Sequence, residues 1–171
     1  MTDDNEDEIL INIIWIFGNL LGEDEEMVKS ISEKIPLHSK ILKIFSRNSL
    51  NRELRTILLF CYKNMIKNIT YDETYLMDFH KIIIKIIIEN YINDKYAIND
   101  DILIEALEVF EETTKDGNEY LITAMYDVQL FQTLMAIIEN YQNFDTKIIN
   151  LALIIIGNSF ICENRELNTV I

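Results

Sequence analysis

Three observations predict an all-α fold. One proline and four glycines in 171 residues leave too few breakers for a turn-dense β-sandwich. Apolar residues recur at helical spacing: Leu54, Ile57, Leu58, Cys61 and Met65 fall at i, i+3, i+4, i+7 and i+11, one stripe on one helix. The breaks are few and recognisable, at Gly22, Pro36, Arg47–Ser49, Asn68–Asp72, Asn93–Asp94, Asp116–Gly117 and Asn143–Asp145. Hydrophobic residues at 49% and charged residues at 26% are ordinary for a globular chain, and this length supports one continuous core.

These breaks divide the chain into helices at 7–21, 24–33, 37–46, 50–67, 73–92, 99–115, 118–126, 127–142, 146–161 and 163–171. Ahead of the first lies an acidic N-terminal tail, residues 1–8, with Asp3, Asp4, Glu6, Asp7 and Glu8 either disordered or starting the helix. Helix 7–21 carries Ile9, Ile13, Ile16 and Leu20 as its stripe, widened by Leu10, Ile14, Phe17 and Leu21. A helix apolar over so much of its circumference must be covered on more than one side. Pro36 separates the next two helices, and 50–67 carries the Leu54–Met65 stripe. Helix 73–92 follows Asp72 as N-cap and contains the run Lys81–Ile88. Its isoleucines favour strands, but the run sits within a long segment of helical spacing and without turn chemistry. Gly117 is a C-cap candidate for 99–115, and Asp145 an N-cap candidate for 146–161.

The chain carries 15 Lys+Arg against 29 Asp+Glu, a net charge of −14. Phosphate binding needs clustered cations, so this balance speaks against nucleic acid and favours a basic ligand. No basic segment precedes an apolar one as in a secretory signal. Leu10–Leu21 holds Asn12 and Asn19 and is too short to span a bilayer, so no membrane is implied. Cys61 and Cys162 read as reduced core thiols. His38 and His80 are isolated, and HExxH, CxxC, GxGxxG and Walker patterns are absent. The acids Glu111 and Glu112 are adjacent, so on a helix they point about 100° apart and read as a solvated face. No nucleophile–base constellation stands out; the expectation is no metal, no cofactor and no enzyme.

Asn19, Asn64 and Asn158 each fall late in a long apolar helix, separated by about one and about two periods of 45 residues. The missing member falls near Val109–Glu112, in another long helix. Three helices recurring at about 40–47 residues is the armadillo period. The expected architecture is an armadillo-type α-solenoid, a right-handed superhelix of about three and a half three-helix repeats over residues 9–171.

Two stretches carry a resemblance. Ile14-Trp15-Ile16-Phe17-Gly18-Asn19-Leu20-Leu21-Gly22-Glu23 resembles the inner helix of an importin-α armadillo repeat, and Leu151 to Ile171, with Gly157-Asn158, resembles a later repeat. The resemblance implies a concave groove that holds an extended basic peptide of the nuclear-localisation type. In that family the Trp packs on lysine stems, the Asn four residues on bonds the peptide backbone, and a following acid pairs with the cation. Trp and Asn at i and i+4 do share a helical face, and an indole favours a cation. Carried over, Trp15, Asn19 and Glu23 form one complete rung. Phe60 replaces the Trp beside Asn64. Val109 and Glu112 replace both members of the third pair, leaving Asp116; Asn158 stands beside Ile154. The implied peptide-binding set is Trp15, Asn19, Glu23, Phe60, Asn64, Asp116 and Asn158, and the implied location is cytoplasm, nucleus or both.

Each of these residues also has a structural reading. Trp15 can be a core indole, the asparagines can cap or bridge helices, and Gly18 and Gly157 can serve close helix packing. The defective rungs, and the lack of a basic carrier-binding segment and of preceding repeats, favour a second account. It is a degenerate armadillo scaffold subunit in a larger complex. An uncovered first helix would then call for a protein partner over the N-terminal end.

Overall fold

The computed structural model describes residues 3–23, 25–47, 50–68, 73–93, 101–115 and 129–160. Among the described residues there are eight α-helices, one 3-10 helix and no strand, so the chain is all-α. The helices are α1 (Asp3–Glu23), α2 (Glu25–Lys34), α3 (Leu37–Phe45), α4 (Arg52–Asn68), α5 (Glu73–Asn93), α6 (Asp101–Thr114), α7 (Leu130–Glu139) and α8 (Thr146–Ser159). Most boundaries fall close to those read from the sequence. The acidic run Asp3–Glu8 forms the first turns of α1, where negative charge suits the helix dipole. The isoleucine run Lys81–Ile88 is helical, inside α5. The segments 118–126 and 163–171, with Asp72, Gly117 and Cys162, lie outside the described residues.

Two compact units divide the chain, Met1–Tyr71 and Asp72–Ile171. In the first, α1 and α4 form the main interface, with α2 against both and α3 against α4. Leu54, Leu58, Leu59, Cys61, Tyr62 and Met65 of α4 are buried, as are Ile41 and Phe45 of α3. The stripe expected on α4 is thus buried apart from Ile57, which is half-buried.

On α1 the outcome differs. Ile14, Gly18 and Leu21 are buried, whereas Ile9, Ile13 and Ile16 of the expected stripe face solvent. Gly18 explains the choice. A Cβ there would lie 2.8 Å from Cε1 of Phe60 and 3.3 Å from the Cα of Cys61. The two backbones therefore approach most closely on the face that lacks a side chain, not on the face richest in isoleucine. Asn51, just before α4, secures the other end of the pair. Its Oδ1 accepts from the Leu54 N–H at 2.8 Å, an N-cap bond, while its Nδ2 donates to Asp7 Oδ2 of α1 at 2.8 Å.

In the second unit α6 packs on α8, α7 on α8, and α5 on both α6 and α7. The core draws Phe79, Ile83, Ile84 and Ile87 from α5, Leu107 and Phe110 from α6, Leu134 and Ile137 from α7, and Ile148 and Ile155 from α8. His80 is fully buried, its ring edge-to-face with Phe110 at 5.2 Å between centroids. Asp145 is the N-cap of α8, accepting from the Lys147 N–H at 2.7 Å. The helix expected at 127–142 is shorter. Gln129, with φ of 61°, is left-handed and forces the chain to enter α7 after it. At the other end the Asn140 amide donates back to the Ala136 carbonyl at 2.8 Å, and the chain tightens into a 3-10 turn at Tyr141–Asn143.

Cys61 is fully buried, and desolvation pushes its thiol from 9.0 up to about 12. Because the folded value is the higher one, this thiol's contribution is fully present below pH 9 and is lost as the pH rises through the folded value. Cys61 is therefore expected to resist alkylation at neutral pH until denaturant is added, a difference that peptide mass mapping reads directly. Gly18→Ala is expected to destabilise the chain by about 1–3 kcal/mol through overpacking, despite alanine's better helix propensity. Gly157 has nothing within 4 Å of an added Cβ. Gly157→Ala is expected to stabilise by about 0.5–1 kcal/mol, and urea unfolding of the two variants checks both signs.

Candidate functional site

The candidate binding residues of the first unit come from α1 and α4. Trp15, Asn19 and Glu23 lie at i, i+4 and i+8 of α1, along one face, and all three are exposed. The Trp15 side chain is 54% accessible although it carries the chain's one indole. The Asn19 Nδ2 donates to the Trp15 carbonyl at 2.9 Å, within the same helix. That bond ties the amide to the Trp15 main chain. It leaves the amide oxygen uninvolved in this contact.

The α4 residues are placed differently. Phe60 is half-buried, with its ring over Gly18, and the Lys63 ammonium lies 5.9 Å from the ring centroid. The chain itself thus supplies a cation to this aromatic face. Asn64 is half-buried and its Nδ2 donates to the Gly18 carbonyl at 2.9 Å, a bond between residues 46 apart. A Cβ at Gly22 would come within 3.1 Å of the same amide nitrogen. Asn64 is accordingly a brace between α4 and α1.

In the second unit Asn158 repeats this arrangement. Its Nδ2 donates to Thr114 Oγ1 at 3.2 Å, between residues 44 apart, and that hydroxyl donates to the Phe110 carbonyl at 2.7 Å. The same pair of helices is joined by an ion pair between Lys147 and Glu108. Of the third pair, Val109 is buried and Glu112 pairs with Lys115 at 2.8 Å. Asp116 lies outside the described residues.

One feature was not anticipated. An open cleft of about 370 Å³ is lined by Glu8, Ile11 and Asn12 of α1 with Asn51 and Glu53 from the start of α4. Glu8, Asn12, Trp15, Asn19 and Glu23 follow one another at steps of three or four residues, so the cleft continues the Trp15 face toward the helix N-terminus. The sequence signal was present in Glu8 and Asn12 at i and i+4. Asn51 and Glu53 were invisible because only the Asn51 cap brings them beside α1. Among the described residues no three His, Cys, Asp or Glu are grouped to hold a metal ion, and no helix is long and apolar enough to cross a membrane.

No family model matches the sequence, and no curated protein matches it. Solved structures similar to this chain include the crystal structure of an engineered protein from the Northeast Structural Genomics Consortium, with a TM-score of 0.62 at 12% identity. The match covers 84% of this chain and 53% of that one, so this chain corresponds to about half of the engineered protein. At this identity the likeness concerns the fold alone.

If Asn64 and Asn158 are braces, Asn64→Ala and Asn158→Ala are each expected to cost about 0.5–1.5 kcal/mol, the net value of a partly buried hydrogen bond. Asn19→Ala, on the exposed face, is expected to change stability by less than about 0.5 kcal/mol. Chemical denaturation of the three variants separates them.

Proposed function

We propose that this chain is a non-enzymatic, armadillo-type protein-binding module that accepts an extended basic peptide along the Trp15 face of α1, in the manner of importin-α. The observation that carries the reading is the exposed indole of Trp15, on one helical line with Asn19 and Glu23. An exposed indole gives up area to water unless a partner covers it, and its face attracts the ammonium and methylene stem of lysine. Asn19 and Asn12 offer amides for an extended backbone, Glu8 and Glu23 supply negative charge along the same line, and Glu53 of α4 adds to it in the cleft. The net charge of −14 favours approach of such a peptide over long range. The recurrence of an asparagine brace across 46 and then 44 residues supports a repeating three-helix unit as the framework.

A second reading draws on the braces themselves. With the Asn64 and Asn158 amides joining helices and Lys63 over Phe60, much of the expected ladder serves the fold. A scaffold subunit that reads no peptide would look the same at those positions.

Titration with a fluorescently labelled, lysine-rich extended peptide at two salt concentrations separates the two, with Trp15 emission as an internal reporter. The groove reading expects saturable, salt-sensitive binding that perturbs the indole, and a loss of about tenfold in Trp15→Ala. Unchanged affinity in that variant removes the groove. No binding by the folded chain leaves the scaffold.

A further inference from the structure

The second outward face of α1 is apolar and independent of the Trp15 face. Ile9, Ile13 and Ile16 are 60%, 44% and 52% exposed, and Leu20 behind them is half-buried. Their spacing is four, three and four residues, the seam along which one helix packs against another. Ile9, Ile13 and Ile16 lie off both the buried Ile14–Gly18–Leu21 face and the proposed peptide line. Scattered exposed apolar residues are normal on a surface, but a continuous seam over three turns marks an interaction site.

Charge decides what fits there. α1 holds Asp3, Asp4, Glu6, Asp7, Glu8 and Glu23 and has no Lys, Arg or His. Pairing this helix with a second copy of itself brings acid against acid. In the parallel sense the two acidic ends coincide, and in the antiparallel sense each meets the other's Glu23, with no cation on either helix to offset it. An acidic partner meets the same penalty. A partner helix with an apolar seam and lysine or arginine on its flanks buries the isoleucines and neutralises the acids together.

We infer that the Ile9–Ile13–Ile16–Leu20 face of α1 docks a basic amphipathic helix of another protein. Its isoleucine seam is separate from the extended-peptide line through Trp15, with Glu8 and Glu23 bordering both, and the inference stands whether or not that reading does.

The test uses the full chain and synthetic helices with leucine at the seam positions, flanked by lysine in one probe and by glutamate in the other. Fluorescence polarisation of the labelled probes is followed for the unaltered chain, for the double variant Ile13→Asp/Ile16→Asp and for Trp15→Ala. Both altered isoleucines are exposed, and circular dichroism confirms that the variant keeps its helices. The lysine-flanked helix is expected to bind saturably, to weaken by about tenfold or more in the double variant, and to be unaffected by Trp15→Ala. Equal binding of the glutamate-flanked helix overturns the charge selection. Absence of binding by either helix overturns the site. Self-association of the unaltered chain that the double variant abolishes assigns the face to a second copy and overturns the inference. Binding lost only in Trp15→Ala would place the probe on the peptide line instead, leaving that reading intact and this one refuted.

Discussion

The close approach of α1 to α4 at Gly18 governs the first unit. Without a Cβ at that position, the Phe60 ring and the Cys61 backbone come within the space a side chain would occupy. The approach also exposes the Gly18 carbonyl to the Asn64 amide, giving a hydrogen bond across the interface at 2.9 Å. Glycine in a helix interior costs about 1 kcal/mol relative to alanine, so its presence here needs dense packing in return, and the buried row Leu58, Leu59, Cys61 and Tyr62 provides it. Once the Ile14–Gly18–Leu21 face is turned inward, helical geometry leaves Trp15 and Ile16 no choice but to point outward. The exposure of both candidate interaction faces is therefore a consequence of where Gly18 stands.

The second unit solves the same joining problem without glycine. Asn158 reaches a threonine hydroxyl in place of a backbone carbonyl, and that hydroxyl in turn donates a hydrogen bond to the Phe110 carbonyl. A side-chain acceptor stands further from its helix axis than a backbone carbonyl, and the two helices also bury the small residues Ala106 and Ala152. The Lys147–Glu108 ion pair adds a polar link near the start of α8. Its lysine is half exposed, so its contribution to stability is small beside the buried Ile148 and Ile155. A hydrogen-bonding asparagine late in one helix, directed at a helix 46 or 44 residues earlier, is thus common to both units.

Helix positions were legible because they rest on local signals: apolar spacing, the Asp145 cap, and the scarcity of proline and glycine. What was not legible is which side of α1 is buried. Hydropathy alone favoured Ile9, Ile13, Ile16 and Leu20, since they form the more regular stripe. Packing density favoured the side with Gly18, and density won because burial depends on how closely surfaces meet as well as on what they are made of. The role of Asn51 is hidden in the sequence for a related reason. Its cap on α4 is a local feature, but its bond to Asp7 joins residues that are neighbours only after α1 and α4 have paired. The left-handed Gln129 belongs to the same class, since nothing in a glutamine announces a positive φ.

Asparagine shows why a motif in an apolar helix carries two meanings at once. Its amide satisfies a buried carbonyl as readily as it satisfies a bound peptide, and the residue type cannot distinguish the two. Depth does. Asn64 and Asn158 are half-buried and reach a neighbouring helix, while Asn19 is exposed and bonds to the Trp15 carbonyl of its own helix. The residues that remain available on α1 then sort by angle. Trp15 and Ile16 are consecutive and point about 100° apart, so the aromatic and amide line and the isoleucine seam occupy different sides of one cylinder. A single acidic helix thus presents two chemically distinct exposed surfaces, one of aromatic and amide side chains and one of isoleucine.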